Sequence, residues 1–288
     1  MTIGATVIWV AVVAITLIAT FREPTAASAR QGRWLIIGGG VVLPTVVLAL
    51  LLAYGLAMLP PLLSAAPPGS QQIRVIGEQY FWRVHYLGVG ANKREVELAN
   101  ELHLPVGQHT QLELHARDVI HSFWVPALAG KMDMIPGRTT HLRLFPTRTG
   151  VLRGVCAEYC GTSHAWMALR VVVHEPAEYA AWLEREAEPA RAPADPAAVR
   201  GGELFVQNGC GACHTVRGTS SRGVVGPDLT HVGSRLTVGA GTLRNEPEQF
   251  ATWLAELDQL KPETGMPHYS MLPAEDLRAL GAYLEALQ

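Results

Sequence analysis

The chain is short of net charge, of cysteine, and, over two long stretches, of any charged side chain at all. The formal net charge is −2 over 288 residues. So balanced a surface offers no electrostatic footprint for nucleic acid. There are only four cysteines, in two close pairs: Cys156 with Cys160, and Cys210 with Cys213. They allow at most two disulfides in an extracytoplasmic protein. Both pairs, however, have histidines at ligand spacing, which makes metal or cofactor chemistry the competing reading. No internal repeat is visible.

Charge is missing first between Thr2 and Phe21, and again between Trp34 and Ile73, most densely apolar from Leu35 to Leu59. A helix of about 20 apolar residues spans a bilayer core. A secretory signal peptide would begin with positive charge. The first run does not, and a second run follows at once, so both are read as membrane helices. Pro44 predicts a kink in the second, since a membrane helix tolerates the lost hydrogen bond. The connector holds Arg22, Arg30 and Arg33 against Glu23, and no further Lys or Arg occurs before Arg74. The positive-inside rule puts such a connector in the cytoplasm, and the N-terminus and everything after the second helix outside.

From about Gln71 to Pro176 short β-prone segments appear, among them Gln71–Gly77, Gln111–Ala116, Thr140–Phe145 and Ala168–His174. Gly and Pro punctuate them, which predicts a sandwich or barrel. A short helix is expected from Glu178 to Glu186. The Ala/Pro-rich stretch around Pro189, Pro193 and Pro196 reads as a semi-rigid linker. Helical patterns follow. The expected organisation is a transmembrane hairpin at 1–66, a β domain at 67–187, a linker at 188–197 and a helical domain at 198–288.

Cys156-Ala-Glu158-Tyr-Cys160-Gly-Thr-Ser-His164-Ala-Trp-Met167 offers two thiolates, an imidazole and a thioether within twelve residues. His121 supplies a second imidazole from Asp118-Val-Ile-His121-Ser-Phe. Soft sulfur ligands with imidazole suit copper. A mononuclear blue-copper site needs one Cys, and the second Cys here is what a dinuclear site would use as a bridge. On chemistry alone a Cys2His2 zinc site and a Cys156–Cys160 disulfide fit as well. His85, His103, His109, His115, His141 and His174 have no second ligand at fixed spacing. They are read as surface or hydrogen-bonded histidines. Met132 and Met134 are read as packing residues. In the helical region, Cys210-Gly-Ala-Cys213-His214 is the Cys-x-x-Cys-His signal for covalent c-type haem, with His214 on the iron. Zinc would need further ligands, and only His231 and His268 are near.

The Cys156–Met167 segment resembles the C-x-E-x-C-G-x-x-H-x-x-M signature of cytochrome c oxidase subunit II. So do His121-Ser-Phe and the run from Gly130 to Arg138. The likeness covers residues 1 to about 180 and implies a cupredoxin fold. It implies that Cys156 and Cys160 bridge two coppers, that His121 and His164 cap one each, that Met167 is a weak ligand, and that Glu158 contributes its carbonyl. The Glu158 side chain is implied to face a magnesium shared with subunit I. Two departures stand out. The family's Trp-Tyr-Trp cluster, where donor electrons arrive, reads Tyr80-Phe81-Trp82. A glutamate often found seven residues before the helix-two proline is Ile37.

Residues 198–288 resemble a class I cytochrome c through Gly202-Glu-Leu-Phe205, Gly226-Pro-Asp-Leu229 and Met266-Pro267 before a last helix at Ala274–Leu287. Met266 is the implied distal iron ligand, with Met271 and His268 as runners-up. The whole resembles the multidomain subunit II of oxidases with a fused cytochrome c. That implies a bacterial inner-membrane, multi-pass subunit of a proton-pumping oxidase with both termini periplasmic. Electrons would pass from an external donor, a cytochrome c or similar, through haem c and copper to haem a of subunit I, where oxygen is reduced. Subunit I, subunit III and membrane lipid are the implied partners, nucleic acid is not, and the chain has no oxygen-reducing site of its own. Two other functions share these cofactors: the copper subunit of a nitric oxide reductase and a stand-alone membrane-tethered electron carrier.

Overall fold

The structure is a computed structural model that describes residues 2–21, 29–90 and 94–288. Arg22 and Glu23 of the expected connector lie outside the described residues. Two compact units are present, Met1–Leu63 and Ser64–Gln288.

In the first unit, α1 spans Thr2–Phe21, and a continuous helix follows as α2 (Ala29–Trp34), a π-helical stretch (Leu35–Val42) and α3 (Leu43–Leu63). Ile3–Phe21 and Arg30–Pro60 are each long and apolar enough to cross a membrane. The hydroxyls of Thr16, Thr20 and Thr45 donate to carbonyls four residues earlier, so these polar groups are satisfied within the helix, as an apolar surrounding requires. Just before Pro44, where a kink is expected, the helix runs as a π-helical stretch. The Leu43 amide donates to Gly38, five residues back. Pro44 brings no N–H, and its ring crowds the carbonyl four residues before it. A widened turn over Gly38, Gly39 and Gly40 relieves that crowding.

The second unit opens with a sandwich of two five-stranded sheets, ordered β3-β2-β1-β5-β8 and β4-β10-β9-β6-β7. The strands are β1 (Gln71–Glu78), β2 (Phe81–Val89), β3 (Arg94–Ala99), β4 (Glu101–Pro105), β5 (Thr110–Ala116), β6 (His121–Trp124), β7 (Met132–Met134), β8 (Thr140–Leu144), β9 (Gly150–Cys156) and β10 (Ala168–His174). Alternation puts Ile73, Val75, Leu112, Leu114, Leu102, Leu104, Val171 and Val173 on the inner faces, all at most 3% exposed. Pairs β1–β5 and β4–β10 are parallel; this mixed two-sheet arrangement is a cupredoxin-like sandwich.

Helix α4 (Pro176–Glu186) starts two residues before its expected beginning, because proline is well suited to a first helical turn. It packs Trp182 flat on His103 at 3.9 Å between ring centres. The segment 188–197 is not loose. The Ala190 amide donates to Arg217, His231 Nε2 meets the Glu188 carbonyl at 2.9 Å, and Arg217 reaches the Glu186 carbonyl. Asp195 then caps α5 (Pro196–Gln207) by accepting from the Ala197 and Ala198 amides. Helices α5, α6 (Pro247–Leu260) and α7 (Ala274–Ala286) build a second core from Leu204, Phe205, Phe250, Leu254, Leu280 and Leu284.

Candidate functional site

Strand β9 ends at Cys156, and the chain turns through Glu158, Cys160 and a short 3-10 turn at His164–Trp166 before β10. Strand β6 lies beside β9, with Phe123 opposite Cys156, which brings His121 to the same end of the sandwich. Six donor groups gather there. The two sulfurs are 3.9 Å apart. His121 Nδ1 lies 3.8 Å from Cys156 Sγ, and His164 Nδ1 lies 3.4 Å from Cys160 Sγ. The Glu158 carbonyl is 3.2 Å from Cys156 Sγ, and Met167 Sδ is 3.9 Å from Cys160 Sγ. All four cysteines of the chain are free.

The electrostatics suit metal ligation. The Cys156 thiol is lowered to about 3, first by the hydrogen bond from Cys160 and then by His121. Cys160 is pushed well above its ordinary value because it donates to the Cys156 thiolate and is itself buried. A second anion so close needs an added cation. Burial works against protonating His121, but Cys156 and Asp118 outweigh it and raise its pKa. Asp118 Oδ1 sits 2.8 Å from His121 Nε2, fixing which nitrogen faces the sulfurs. The donor set is two thiolates in the middle, one imidazole on each, and a carbonyl and a thioether at opposite ends. This exceeds the four ligands of a structural zinc site and fits a pair of coppers. The Glu158 carboxylate points elsewhere, 3.6 Å from Lys131 Nζ.

The second site is a cavity of about 540 Å3 in the helical part. Cys210, Cys213, His214 and Met266 line it, with Phe250, Leu254 and Leu280. Met271 is 69% exposed, and neither it nor His268 is among the lining residues. His268 instead meets Ser270 at 2.9 Å. His214 is buried, and burial lowers its pKa, which keeps the ring neutral. Its Nδ1 donates to the Pro227 carbonyl at 2.8 Å. That fixes the tautomer and leaves Nε2 for a metal. Gly226 lies flat against the imidazole, where a Cβ would collide with the ring. At another wall of the cavity stand Arg235 and Thr237, whose buried Nε and Oγ1 have no hydrogen-bond partner. Lys261 is there too, 2% exposed and lowered to about 7 by burial. An apolar cavity with free polar atoms at one side, two thiols and a neutral histidine fits a haem with its carboxylates.

Residues 87–174 match the periplasmic domain of cytochrome c oxidase subunit II, and residues 198–288 match cytochrome c. The β domain is thus of the subunit II periplasmic type and the helical domain of the cytochrome c type. Cytochrome c oxidase subunit 2 of Alkalihalophilus pseudofirmus is 39% identical over 216 residues, 75% of this chain and 61% of that relative. The protein of the same name from Thermostichus vulcanus is 43% identical over 124 residues, 43% of this chain and 36% of its own length. This chain therefore spans about three fifths of the first relative and about a third of the second. Among solved structures, the periplasmic domain of subunit II of the Bradyrhizobium japonicum oxidase is 29% identical. It aligns with a TM-score of 0.39 over 42% of this chain and 96% of that domain.

The aromatic cluster of this chain splits between the two sites. Trp82 is fully buried and meets the His121 ring edge-on at 6.2 Å. Tyr80 is 3% exposed, and Gln79, Tyr80 and Phe81 all line the second cavity. Gln79 Nε2 also donates to the Cys160 carbonyl at 2.6 Å. Sequence reasoning had no access to that contact. It also missed Asp118, although Asp118 stands three residues before His121, a spacing readable in the chain. Among the histidines set aside, His103 and His174 are paired at 2.8 Å. His109 Nδ1 and His115 Nε2 depart from expectation as buried atoms without a hydrogen bond.

Proposed function

We propose that this chain is a non-catalytic electron-transfer subunit. It takes electrons from an external donor at a haem c and passes them through a dinuclear copper centre to the oxygen-reducing subunit I of a haem-copper oxidase. One observation carries the reading. The Gln79–Phe81 turn lines the cavity beside Cys210 and His214 and is hydrogen-bonded to Cys160 of the sulfur cluster. Two sites suited to one-electron cofactors are thus joined by a single turn of chain.

When bound, the haem and the copper pair supply the one-electron chemistry, and the protein sets distance and potential. Cys210 and Cys213 would hold the haem covalently, and His214 and Met266 would ligate its iron. Cys156, Cys160, His121, His164, Met167 and the Glu158 carbonyl would hold the coppers. The Pro227 carbonyl and Asp118 orient the two histidines. Tyr80, Phe81 and Trp82 lie between the sites. Burial of Tyr80 beneath the helical domain means that a soluble donor does not reach it, so electrons arrive at the haem side. The helices at 3–21 and 30–60 anchor the chain in a bacterial inner membrane with both sites outside. Glu158 would turn to a magnesium only once subunit I is present.

The test is metal and haem analysis of the full chain. Two coppers and one haem per chain are expected, and one copper, or zinc at full occupancy in a copper-replete sample, overturns the dinuclear reading. Met266→Ala should alter the haem spectrum and lower its potential, because the thioether favours the reduced iron. A spectrum changed by Met271→Ala and untouched by Met266→Ala would move the ligand.

A further inference from the structure

The loop Val224–Asp228 holds the proximal histidine of the proposed haem site. Gly226 lies beneath the His214 ring, and the Pro227 carbonyl takes its Nδ1 proton. Yet hydrophobic burial does not hold this loop. Val224 is 69% exposed and Val225 is 62% exposed. Its carbonyls turn inward to one side chain of the β sandwich. Arg83 on β2, only 5% exposed, donates from Nη2 to the Val225 carbonyl at 3.2 Å and to the Val224 carbonyl at 3.4 Å. Nη1 reaches the Gly226 carbonyl at 3.4 Å.

Two carboxylates fix that guanidinium. Arg83 Nε donates to Glu78 at 2.7 Å, and Nη1 donates to Glu97. Glu97 in turn accepts from the Asp228 amide at 3.3 Å. Three successive carbonyls and the next free amide of the loop, Pro227 having none, are therefore satisfied by two side chains of the sandwich. A planar fork with five donors does this, and an ammonium could not. Arg83 also lies 5.2 Å over the ring of Phe81, a residue of the cavity wall.

We propose that Arg83 and Glu97 form a latch. It fixes the proximal wall of the haem cavity to the copper-binding sandwich, so that electrons cross between two sites held in one fixed arrangement rather than between tethered domains that meet by diffusion. Arg83 and Glu97 are positioning residues, acting on His214 through the Val224–Asp228 loop. The inference rests on the reading of the two sites as haem and copper centres.

The experiment uses the full chain loaded with both cofactors, in detergent. One electron is delivered to the haem by a light-triggered reductant, and the passage to copper is timed at increasing glycerol. Hydrogen exchange of residues 224–228 is measured on the same samples. The native chain should transfer at a rate independent of viscosity. In Arg83→Gln the rate should fall about tenfold or more, become viscosity-dependent, and be accompanied by lost protection at 224–228, with the copper absorption unchanged. Arg83→Lys should lie between the two. A transfer rate in Arg83→Gln within about twofold of native and insensitive to glycerol overturns the latch. So does a native rate that already follows viscosity. Should Arg83→Gln fail to fold, Glu97→Gln carries the same comparison, since it removes the charge and keeps the shape. If the native chain shows no haem or copper spectrum, the functional reading fails. The exchange of residues 224–228 in the variants still decides the latch.

Discussion

The sandwich and the helical domain solve the same problem, holding a redox cofactor, in opposite ways. At the sulfur cluster the protein brings each of its own donors within 3.2–3.9 Å of a cysteine sulfur, and strand pairing on both sides places them. The helical domain instead lines most of a cavity of about 540 Å3 with its own core residues, Phe250, Leu254 and Leu280 among them, and the sandwich adds the Gln79–Phe81 turn. The first site is part of one end of the sandwich core, whose buried cluster includes Cys156, Cys160 and Met167. The second is a cavity set among core residues, with room for a cofactor. Preorganisation is thus a property of the β scaffold, and stability in the helical part is tied to what fills it.

The widest break in that comparison should come from withholding haem. Without haem, a cavity of about 540 Å3 is left to water, and Phe250, Leu254 and Leu280 lose the packing that a filled site would give them. With Cys210 and Cys213 both changed to Ser, helices α5, α6 and α7 should lose hydrogen-exchange protection while β1–β10 keep theirs. Equal protection in both parts would show that the helical core closes without its cofactor. The converse experiment is Cys156→Ser. Copper per chain should drop from two to one or none, with the mixed copper–thiolate absorption lost. The sandwich should stay folded, since most of its core, from Ile73 to Val173, lies outside the sulfur cluster.

A smaller effect sharpens the packing side. Gly201 of α5 faces Ala279 of α7 so closely that an added Cβ would meet the Ala279 carbonyl. Gly201→Ala should destabilise the helical part by about 1–3 kcal/mol, measured by denaturant midpoint, and leave the copper spectrum alone. The smallest effect concerns Glu186, buried near Arg217, His231 and Arg235, whose carboxyl burial raises above the ordinary carboxylate range. Between the unfolded value and its raised folded value, the folded chain binds more protons than the unfolded one. Stability therefore falls as pH rises through that window. Glu186→Gln should flatten this slope, and a slope unchanged in the variant would assign it to another group.

Much of this was readable in the chain. Local spacing carries the Cys-x-x-Cys-His attachment signal, because the two cysteines and the histidine act within one turn. The same holds for Cys156, Cys160, His164 and Met167, which a single loop presents. The two apolar runs announce themselves by length. What local spacing cannot report is which distant carbonyl a side chain reaches. The Arg83 contacts with Val224–Gly226 span more than 140 residues of chain. The Gln79–Cys160 hydrogen bond spans 81. The segment 188–197, read as a spacer from its Ala/Pro content, is held by Arg217 and His231, partners that composition does not name.

By itself, then, the sequence determined the kinds of ligand, their grouping into two sites, and the division into apolar helices, strands and a helical end. These follow from periodicity and residue chemistry over a few neighbouring positions. Only the tertiary structure decided that Met266 lines the cavity while Met271 faces solvent, that Tyr80 is covered, and that the two sites share the Gln79–Phe81 turn. Such facts depend on how two independently patterned cores pack against each other. Packing satisfies buried carbonyls and guanidinium groups across the interface wherever geometry permits, with no trace in the order of residues along either partner.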